Sequence, residues 1–339
     1  MKYLSKFLIV LLALSFLVTC SDESTSSSTP QVEKLANHID AQLTDWGPTY
    51  SATDLYTDIT GNEAPFILSV RAEADYDKAH ITGAVNIPWR EVTDQTKLDA
   101  ASVPTDATVI PYCYTGHTGQ IAATILQMMG YETKNLKFGM MAWWSDASNG
   151  GGDGGVAPFD YTTDPPNSST DGIETAVHEL PASGTYELPD LELGNSDDVN
   201  EMARVAADKW LGTDKPIISA TALFDLLNDG DDTNDPMIIS VRAAAHYEAG
   251  HVTGAYNIPW RDIAKIDNLT KLDPTKEYVV YCYTGHTGQV ATTALKMLGY
   301  NAKNLKFGMM GWSSNDAYMG EQSEFKASDV INEASVVEP

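Results

Sequence analysis

The octapeptide Cys-Tyr-Thr-Gly-His-Thr-Gly-Gln occurs twice without a change, at Cys113–Gln120 and Cys282–Gln289. In both copies the cysteine follows a short apolar run (Thr108–Tyr112, Tyr278–Tyr281) and precedes a segment of helical apolar spacing (Gln120–Met129, Gln289–Leu298). A thiol at such a strand-to-helix turn faces unpaired backbone N–H groups and the positive end of the helix dipole. Both favour the thiolate, the reactive form of cysteine. Gly116 and Gly285 let the loop curl, and successive N–H groups of a curled loop form an anion-binding nest. Thr115, His117 and Thr118, with Thr284, His286 and Thr287, add side-chain donors, and Tyr114 and Tyr283 complete the candidate substrate-binding loops. The pattern predicts a nucleophilic sulfur at the centre of an anion cradle. The competing reading is a buried cysteine acting as a small hydrophobe, but a core cysteine does not require the same glycine-containing loop in two places. Histidine ordinarily titrates near neutral pH, so His117 and His286 are expected either to assist proton transfer or only to hold the loop.

The elements around these loops repeat as well. Lys134–Met141 recurs as Lys303–Met310, at the same offset of 169 residues as the cysteine loops. Ser69-Val70-Arg71 matches Ser240-Val241-Arg242, and Gly83–Arg90 matches Gly254–Arg261 with one change, at an offset of 171. A period this long means duplicated domains, not a solenoid. In each copy the runs Pro65–Val70 and Pro236–Val241 read as buried parallel strands, as do the runs ending at the cysteines. The helical segments end at Gly130 and Gly299, which suit the left-handed position after a helix. Strands alternating with helices predict α/β domains, each a parallel β-sheet flanked by helices. Pro111 stands where repeat two has Val280. Proline cannot donate to a strand ladder, so that strand is expected to be distorted.

Length and charge narrow the function. The 339 residues exceed a typical single domain, and 43% apolar content is enough for two cores. A net charge of −26 excludes nucleic-acid binding, which needs basic surface. At the N-terminus, Lys2 and Lys6 precede an apolar run of 12 residues, Phe7–Val18, the length of a signal-peptide core and too short to span a bilayer. Leu17-Val18-Thr19-Cys20 resembles the lipobox of bacterial lipoproteins, which implies acylation of Cys20, membrane attachment through an N-terminal lipid and a place in the cell envelope. Ser21–Thr29 reads as a flexible tether. Only Cys113 and Cys282 then remain, and their equivalent positions point to one job done twice rather than to a disulfide. Between the repeats the chain turns Gly-, Pro- and acid-rich, with no Lys or Arg from Phe138 to Ala203, and is expected to be a solvated linker. Neither a metal-ligand spacing nor a dinucleotide fingerprint is apparent, and no cofactor is expected.

The motifs together resemble the rhodanese family. Val70-Arg71, then Asp75-Tyr76 through Ala79-His80-Ile81, Gly83-Ala84 and Asn86-Ile87-Pro88, is similar to that family's signature; Tyr112-Cys113-x-x-Gly116 resembles its active-site loop and Gly139-Met140-x-Ala142-Trp143 its C-terminal element. Repeat two matches at Tyr247, Gly250-His251, Gly254-Ala255, Asn257-Ile258-Pro259, Tyr281-Cys282, Gly308-Met309 and Gly311-Trp312. The resemblance implies a sulfurtransferase in which Cys113 and Cys282 carry sulfur as a persulfide, from a thiosulfate-like or persulfide donor to a thiophilic acceptor such as cyanide or a thiol. The partner it implies is a small sulfur-containing anion or a low-molecular-weight thiol. The six-residue loop, Cys113 to Thr118, resembles the sulfur-handling members; the related phosphatases use seven, which disfavours arsenate or phosphate-ester chemistry. The family's Asp before Val-Arg is Ser69 and Ser240 here, and the loop lacks the family's Arg or Lys, which argues for weaker binding of a dianion such as thiosulfate.

Arg71 and Arg242 are expected to be structural or to help hold the loop or its anion. Arg90 and Arg261 read either as the missing cation near the pocket or as plain surface residues. His80 and His251 are expected to satisfy turn hydrogen bonds. Met140, Met141, Met309, Met310, Trp143 and Trp312 are read mainly as packing, with the first Met of each pair able to line the mouth. The boundaries drawn are a signal peptide at 1–20, a tether at 21–36, rhodanese-like domains at 37–145 and 196–325, a linker at 146–195 and a tail at 326–339. The alternative is a non-catalytic rhodanese-like binding module, an accessory to an envelope redox or oxyanion-reducing complex with envelope protein partners.

Overall fold

The computed structural model of the chain describes residues 29–144, 172–213, 215–319, 325, 330–331 and 336–337. The signal-peptide region, Cys20 and nearly all of the Ser/Thr-rich stretch lie outside the described residues, as do residues 146–171 of the linker.

The first described element is a helix, α1 (Gln31–Asp45). Val32, Leu35, Ala36, Ile39 and Leu43 recur at helical spacing and are buried, so the tether drawn to residue 36 gives way to packed helix at Gln31. Repeat one continues with β1 (Thr49–Tyr50), α2 (Ala52–Thr60), β2 (Phe66–Ser69), α3 (Glu73–Tyr76), β3 (His80–Ile81) and β4 (Val85–Asn86). It closes with α4 (Gln95–Ala100), β5 (Val109–Tyr112), α5 (His117–Met128), β6 (Asn135–Leu136) and α6 (Met140–Trp143). After β7 (Ile173–Glu174), repeat two runs α7 (Val199–Leu211), β8 (Ile217–Ile218), α8 (Ala220–Leu227), β9 (Met237–Ser240), α9 (Ala244–Ala249), β10 (His251–Val252) and β11 (Tyr256–Asn257). It ends with α10 (Ile266–Leu269), β12 (Glu277–Tyr281), α11 (His286–Met297), β13 (Asn301–Leu305) and α12 (Gly308–Trp312), and β14 (Val336–Val337) lies near the C-terminus.

Repeat two forms a five-stranded parallel sheet in the order β11-β9-β12-β13-β8. Repeat one has the same layout broken in two: β4-β2-β5 and β1-β6. Pro111 is the cause. Alternate residues of a strand bond to opposite neighbours. Val109 bonds toward the β6 side, donating to Glu132 O at 2.8 Å and accepting from Lys134 N at 3.1 Å, whereas Tyr112 O accepts from Val70 N beside β2. Pro111 therefore points its missing N–H at β6, where Val280 of repeat two pairs with Asn304. Pairing with β2 survives, Leu68 opposite Pro111.

The repeats are interlocked. Helices α5 and α11, which follow the two cysteine loops, pack together, and their Ala122, Ala123, Ala291 and Ala294 lie in one buried cluster that also takes in α1 and α7. Arg261 of repeat two donates from Nε and Nη2 to Thr44 O and Trp46 O, both at 3.0 Å, where α1 ends. Arg90 of repeat one donates to Leu211 O at the end of α7. A cation is favoured at both places by the negative end of the helix dipole. The segment following each repeat also adds a strand to the other: β7 pairs antiparallel with β10, and β14 with β3. The described part of the linker is thus built into the fold: Tyr186 N donates to Thr270 O at 2.9 Å, and Leu193 is buried. No helix among the described residues is long and apolar enough to cross a membrane.

Candidate active site

Strands β5 and β12 end at Cys113 and Cys282, and both thiols are buried and unpaired, about 1% exposed. Four residues later α5 and α11 begin, after Gly116 and Gly285 at φ +85° and +86°. That left-handed step turns the loop back over the sulfur. In repeat two Gly285 N–H points at Cys282 Sγ, 3.1 Å away. The loop carbonyls are drawn the other way: Cys113 O and Tyr114 O accept from Met140 N and Met141 N, both at 2.9 Å. Cys282 O and Tyr283 O accept from Met309 N and Met310 N at 2.9 and 2.8 Å. With carbonyls held outward, N–H groups of the loop are left for an anion. Asn135 and Asn304 fix the far end, Nδ2 donating to Gly116 O at 3.0 Å and Gly285 O at 3.1 Å.

The loop histidines cross between repeats. His117 Nε2 accepts from Phe307 N of repeat two at 3.0 Å, and His286 Nε2 accepts from Phe138 N of repeat one at 3.1 Å. Their rings stack at 5.8 Å, and each Nδ1 meets the hydroxyl of its own loop threonine, Thr115 or Thr284, at 3.0 and 3.1 Å. An Nε2 that accepts carries no proton, so both rings are neutral with the proton on Nδ1. Phe138 and Phe307 hold φ of +64° and +62°, a strained setting for a phenylalanine that the crossed hydrogen bonds help to hold. Burial pushes His117 down to about 3, helped by the positive charges of Lys306 and Lys215. Burial also holds His286 far below its ordinary value, with His117 and Lys137 adding to it. Of the two roles expected for them, the crossed hydrogen bonds favour the structural one: these histidines latch the two repeats.

Each thiol opens on a cavity. The Cys282 cavity, about 330 Å3, is walled by Tyr283, Thr284, His286 and Thr287 of its own loop. The Cys113 cavity, about 290 Å3, is walled by Tyr114, Thr115, His117 and Thr118. A sequence-family model described as the Rhodanese-like domain matches residues 51–146 and 219–315, together more than half of the chain. The chain belongs to the rhodanese-like family. Its two rhodanese-like domains carry the two cysteine loops at equivalent positions.

Among curated proteins, the chain is similar to thiosulfate sulfurtransferase PspE of Escherichia coli, 38% identical over 65 residues, 19% of this chain and 60% of the relative. It is also similar to adenylyltransferase and sulfurtransferase UBA4 of Meyerozyma guilliermondii, 31% identical over 90 residues, 25% of this chain and 21% of the relative. The chain thus spans about a fifth of that yeast relative's length. Among solved structures, a thiosulfate sulfurtransferase from Pseudomonas aeruginosa aligns over 84% of this chain and 68% of its own, at 16% identity and a TM-score of 0.28.

The other residues singled out from sequence take varied posts in the rhodanese-like domains. Arg71 and Arg242 are buried behind the loops: Arg71 donates to Ala79 O, and Arg242 to Gly250 O at 2.7 Å and Tyr318 O at 2.8 Å. Both guanidinium groups lie beside the loop tyrosines, 5.8 Å from the Tyr114 ring and 5.9 Å from the Tyr283 ring. Those tyrosines are tethered in turn, Tyr114 Oη to Asp75 at 2.7 Å and Tyr283 Oη to His246 at 2.5 Å. Arg90 is not among the residues lining the Cys113 cavity; Arg261 does line the Cys282 cavity, with its guanidinium donating to Thr44 and Trp46. His80 and His251 face the turn carbonyls of Tyr76 and Tyr247 at 2.9 and 2.7 Å. Met140, Met309, Trp143 and Trp312 are buried, and neither methionine is among the residues lining the cysteine cavities.

Sequence reasoning passes over Asn135, Asn304, Lys137 and Lys306, although the octapeptide that carries them is unchanged between the repeats. It also misses a cluster of Glu174, His178 and His251, whose ligand atoms lie within 4.8 Å of one another. Hydrogen bonds account for that cluster: His178 to Glu174 at 2.8 Å and Gly254 N–H to the same carboxylate at 2.5 Å.

Proposed function

We propose that the chain is a cell-envelope sulfurtransferase that carries sulfane sulfur as a persulfide on Cys113 and Cys282. The observation that carries this reading is the clamped loop, which turns carbonyls away from a buried thiol and leaves N–H groups for an anion. Membership of the rhodanese-like family and similarity to sulfurtransferases support it. In the first half-reaction the cysteine thiolate attacks the outer sulfur of thiosulfate. A Cys–S–S⁻ bond forms, the donor S–S bond breaks, and sulfite leaves with the electron pair. In the second, an acceptor such as cyanide takes the outer sulfur as thiocyanate and the thiolate is restored. Loop N–H groups stabilise the charge that moves onto the outer sulfur, as backbone donors do for developing anions elsewhere. The lipobox-like run ending at Cys20 supports a lipid-anchored, exported protein as the carrier of this chemistry.

The direct test is turnover. The purified chain mixed with thiosulfate and cyanide is expected to release thiocyanate. Changing Cys113 or Cys282 alone to Ser should lower the rate, and changing both should lower it by at least about a hundredfold, the scale of losing the reacting group. Turnover that survives in the double variant would exclude the cysteines, and a folded wild-type protein inert toward several sulfur donors would favour the binding-module reading.

A further inference from the structure

The cysteine loops contain no lysine or arginine, yet lysines line both cavities. They come from the opposite repeat. Lys137 of repeat one lines the Cys282 cavity, and its equivalent Lys306 of repeat two lines the Cys113 cavity. The exchange follows from the latch. Lys137 N–H donates to Tyr50 O at 2.9 Å and Lys306 N–H to Ile218 O at 2.8 Å, which fixes each backbone at its sheet edge. The next residue, Phe138 or Phe307, turns left-handed and donates to the histidine of the other repeat's loop. The lysine one step earlier is thereby delivered to the wall beside that loop.

Repeat two adds a second lysine, Lys215, to the Cys113 cavity. Its place in repeat one is taken by Gly47, since Pro216 O and Pro48 O occupy matching positions, accepting from Asn304 N and Asn135 N at 2.9 Å each. The Cys282 cavity has Lys137 and Arg261. Among the described residues lining either cavity there is no carboxylate, in a chain of net charge −26. The overall field of such a chain repels anions, so an anion site needs basic side chains placed locally, as these lysines are.

We propose that each cysteine's anion subsite is completed by the other repeat, Lys137 serving Cys282, and Lys306 with Lys215 serving Cys113, for the sulfonate end of a thiosulfonate donor. This rests on the sulfur-transfer reading and names its substrate class: a small sulfur oxyanion, whose departing sulfite keeps its negative charge beside the lysine. It also revises the expectation of weak dianion binding. The missing charge is supplied from the other repeat, 145 residues away for Lys137 and Cys282 and 193 for Lys306 and Cys113, by the same fold device that latches the repeats.

Two measurements on the whole chain test this. In a Cys113→Ser background, only Cys282 can load sulfur; Lys137→Met there is expected to raise the thiosulfate concentration for half-maximal loading about tenfold, the scale of one charge-assisted contact, with Lys137→Arg restoring most of it. In a Cys282→Ser background the same is expected of Lys306→Met, and more of Lys306→Met with Lys215→Met. Loss at the cysteine of the lysine's own repeat, or no change at either, would overturn the proposal. Calorimetric binding of sulfite and thiosulfate to the Cys113→Ser/Cys282→Ser protein separates the two readings. Binding weakened about tenfold by the Lys137 or Lys306 change, where the wild-type chain forms no persulfide with any sulfur donor, keeps the anion subsites and rejects sulfur transfer. Binding indifferent to all three lysines rejects the subsites even where persulfide forms.

Discussion

Adding one methyl group at Gly116 or Gly285 is expected to destabilise the whole protein by about 3–5 kcal/mol, in the upper range for a point change. Two effects combine. The left-handed φ of +85° or +86° costs an alanine about 1 kcal/mol. The larger part comes from the crossed contact between the repeats. A β-carbon at Gly116 would stand 2.5 Å from His286 Nε2 and 2.8 Å from Phe138 N; at Gly285 it would stand 2.5 Å from His117 Nε2 and 2.9 Å from Phe307 N. These atoms belong to the two crossed hydrogen bonds and cannot shift without breaking them. Gly254 is the matched control: its φ is +79°, and a β-carbon added there would meet nothing within 4 Å, so Gly254→Ala should show only the backbone cost. Urea unfolding of Gly116→Ala, Gly285→Ala and Gly254→Ala checks this. Equal losses in all three would mean that the repeats are not latched at the loops.

The second large effect is acid sensitivity. His117 and His286 are held far below their ordinary value in the folded chain but take up protons near 6.5 when unfolded. Below pH 6.5 the unfolded state therefore binds more protons than the folded state, so stability falls as pH falls. For His117 the loss continues down to about 3. The limiting slope is about 1.4 kcal/mol per pH unit for each histidine. Protonation would also place an N–H on Nε2 against the N–H of Phe307 or Phe138, which unlatches the repeats. His251, lowered by burial as well, adds to the same trend. Changing both latch histidines to Gln keeps an acceptor near the Nε2 position and removes the titration. The wild-type urea midpoint is expected to drop steeply between pH 6.5 and 4.5, and the double Gln variant to lose most of that slope. Parallel curves for the two proteins would contradict the latch.

Much of the fold is legible in the sequence because it is written locally. The apolar runs before Cys113 and Cys282 are strands, the segments after them are helices, and Gly130 and Gly299 take the left-handed setting at φ +94° and +88°. Pro111 announces the break in the first sheet, since a missing N–H is a property of one residue. The start of α1 is misplaced when the Ser/Thr composition of the tether is extended over Gln31–Ala36, although Val32, Leu35 and Ala36 already carry helical spacing. What stays hidden is everything that depends on two repeats meeting. Lys137 is adjacent to nothing catalytic in sequence, and its cavity belongs to a cysteine in the other repeat. His117 looks like an ordinary titrating histidine until Phe307 N–H and the second ring close over it. Arg90 and Arg261 brace the helix of the opposite repeat for the same reason, Arg261 lining the Cys282 cavity as well.

The central claim is that each cysteine carries sulfur, and intact mass after incubation with thiosulfate tests it most directly. The wild-type chain is predicted to gain two sulfur atoms that cyanide removes, Cys113→Ser and Cys282→Ser one each, and the double variant none. A wild-type chain that gains no sulfur from thiosulfate or from a low-molecular-weight persulfide, or a double variant that still gains it, would contradict the account.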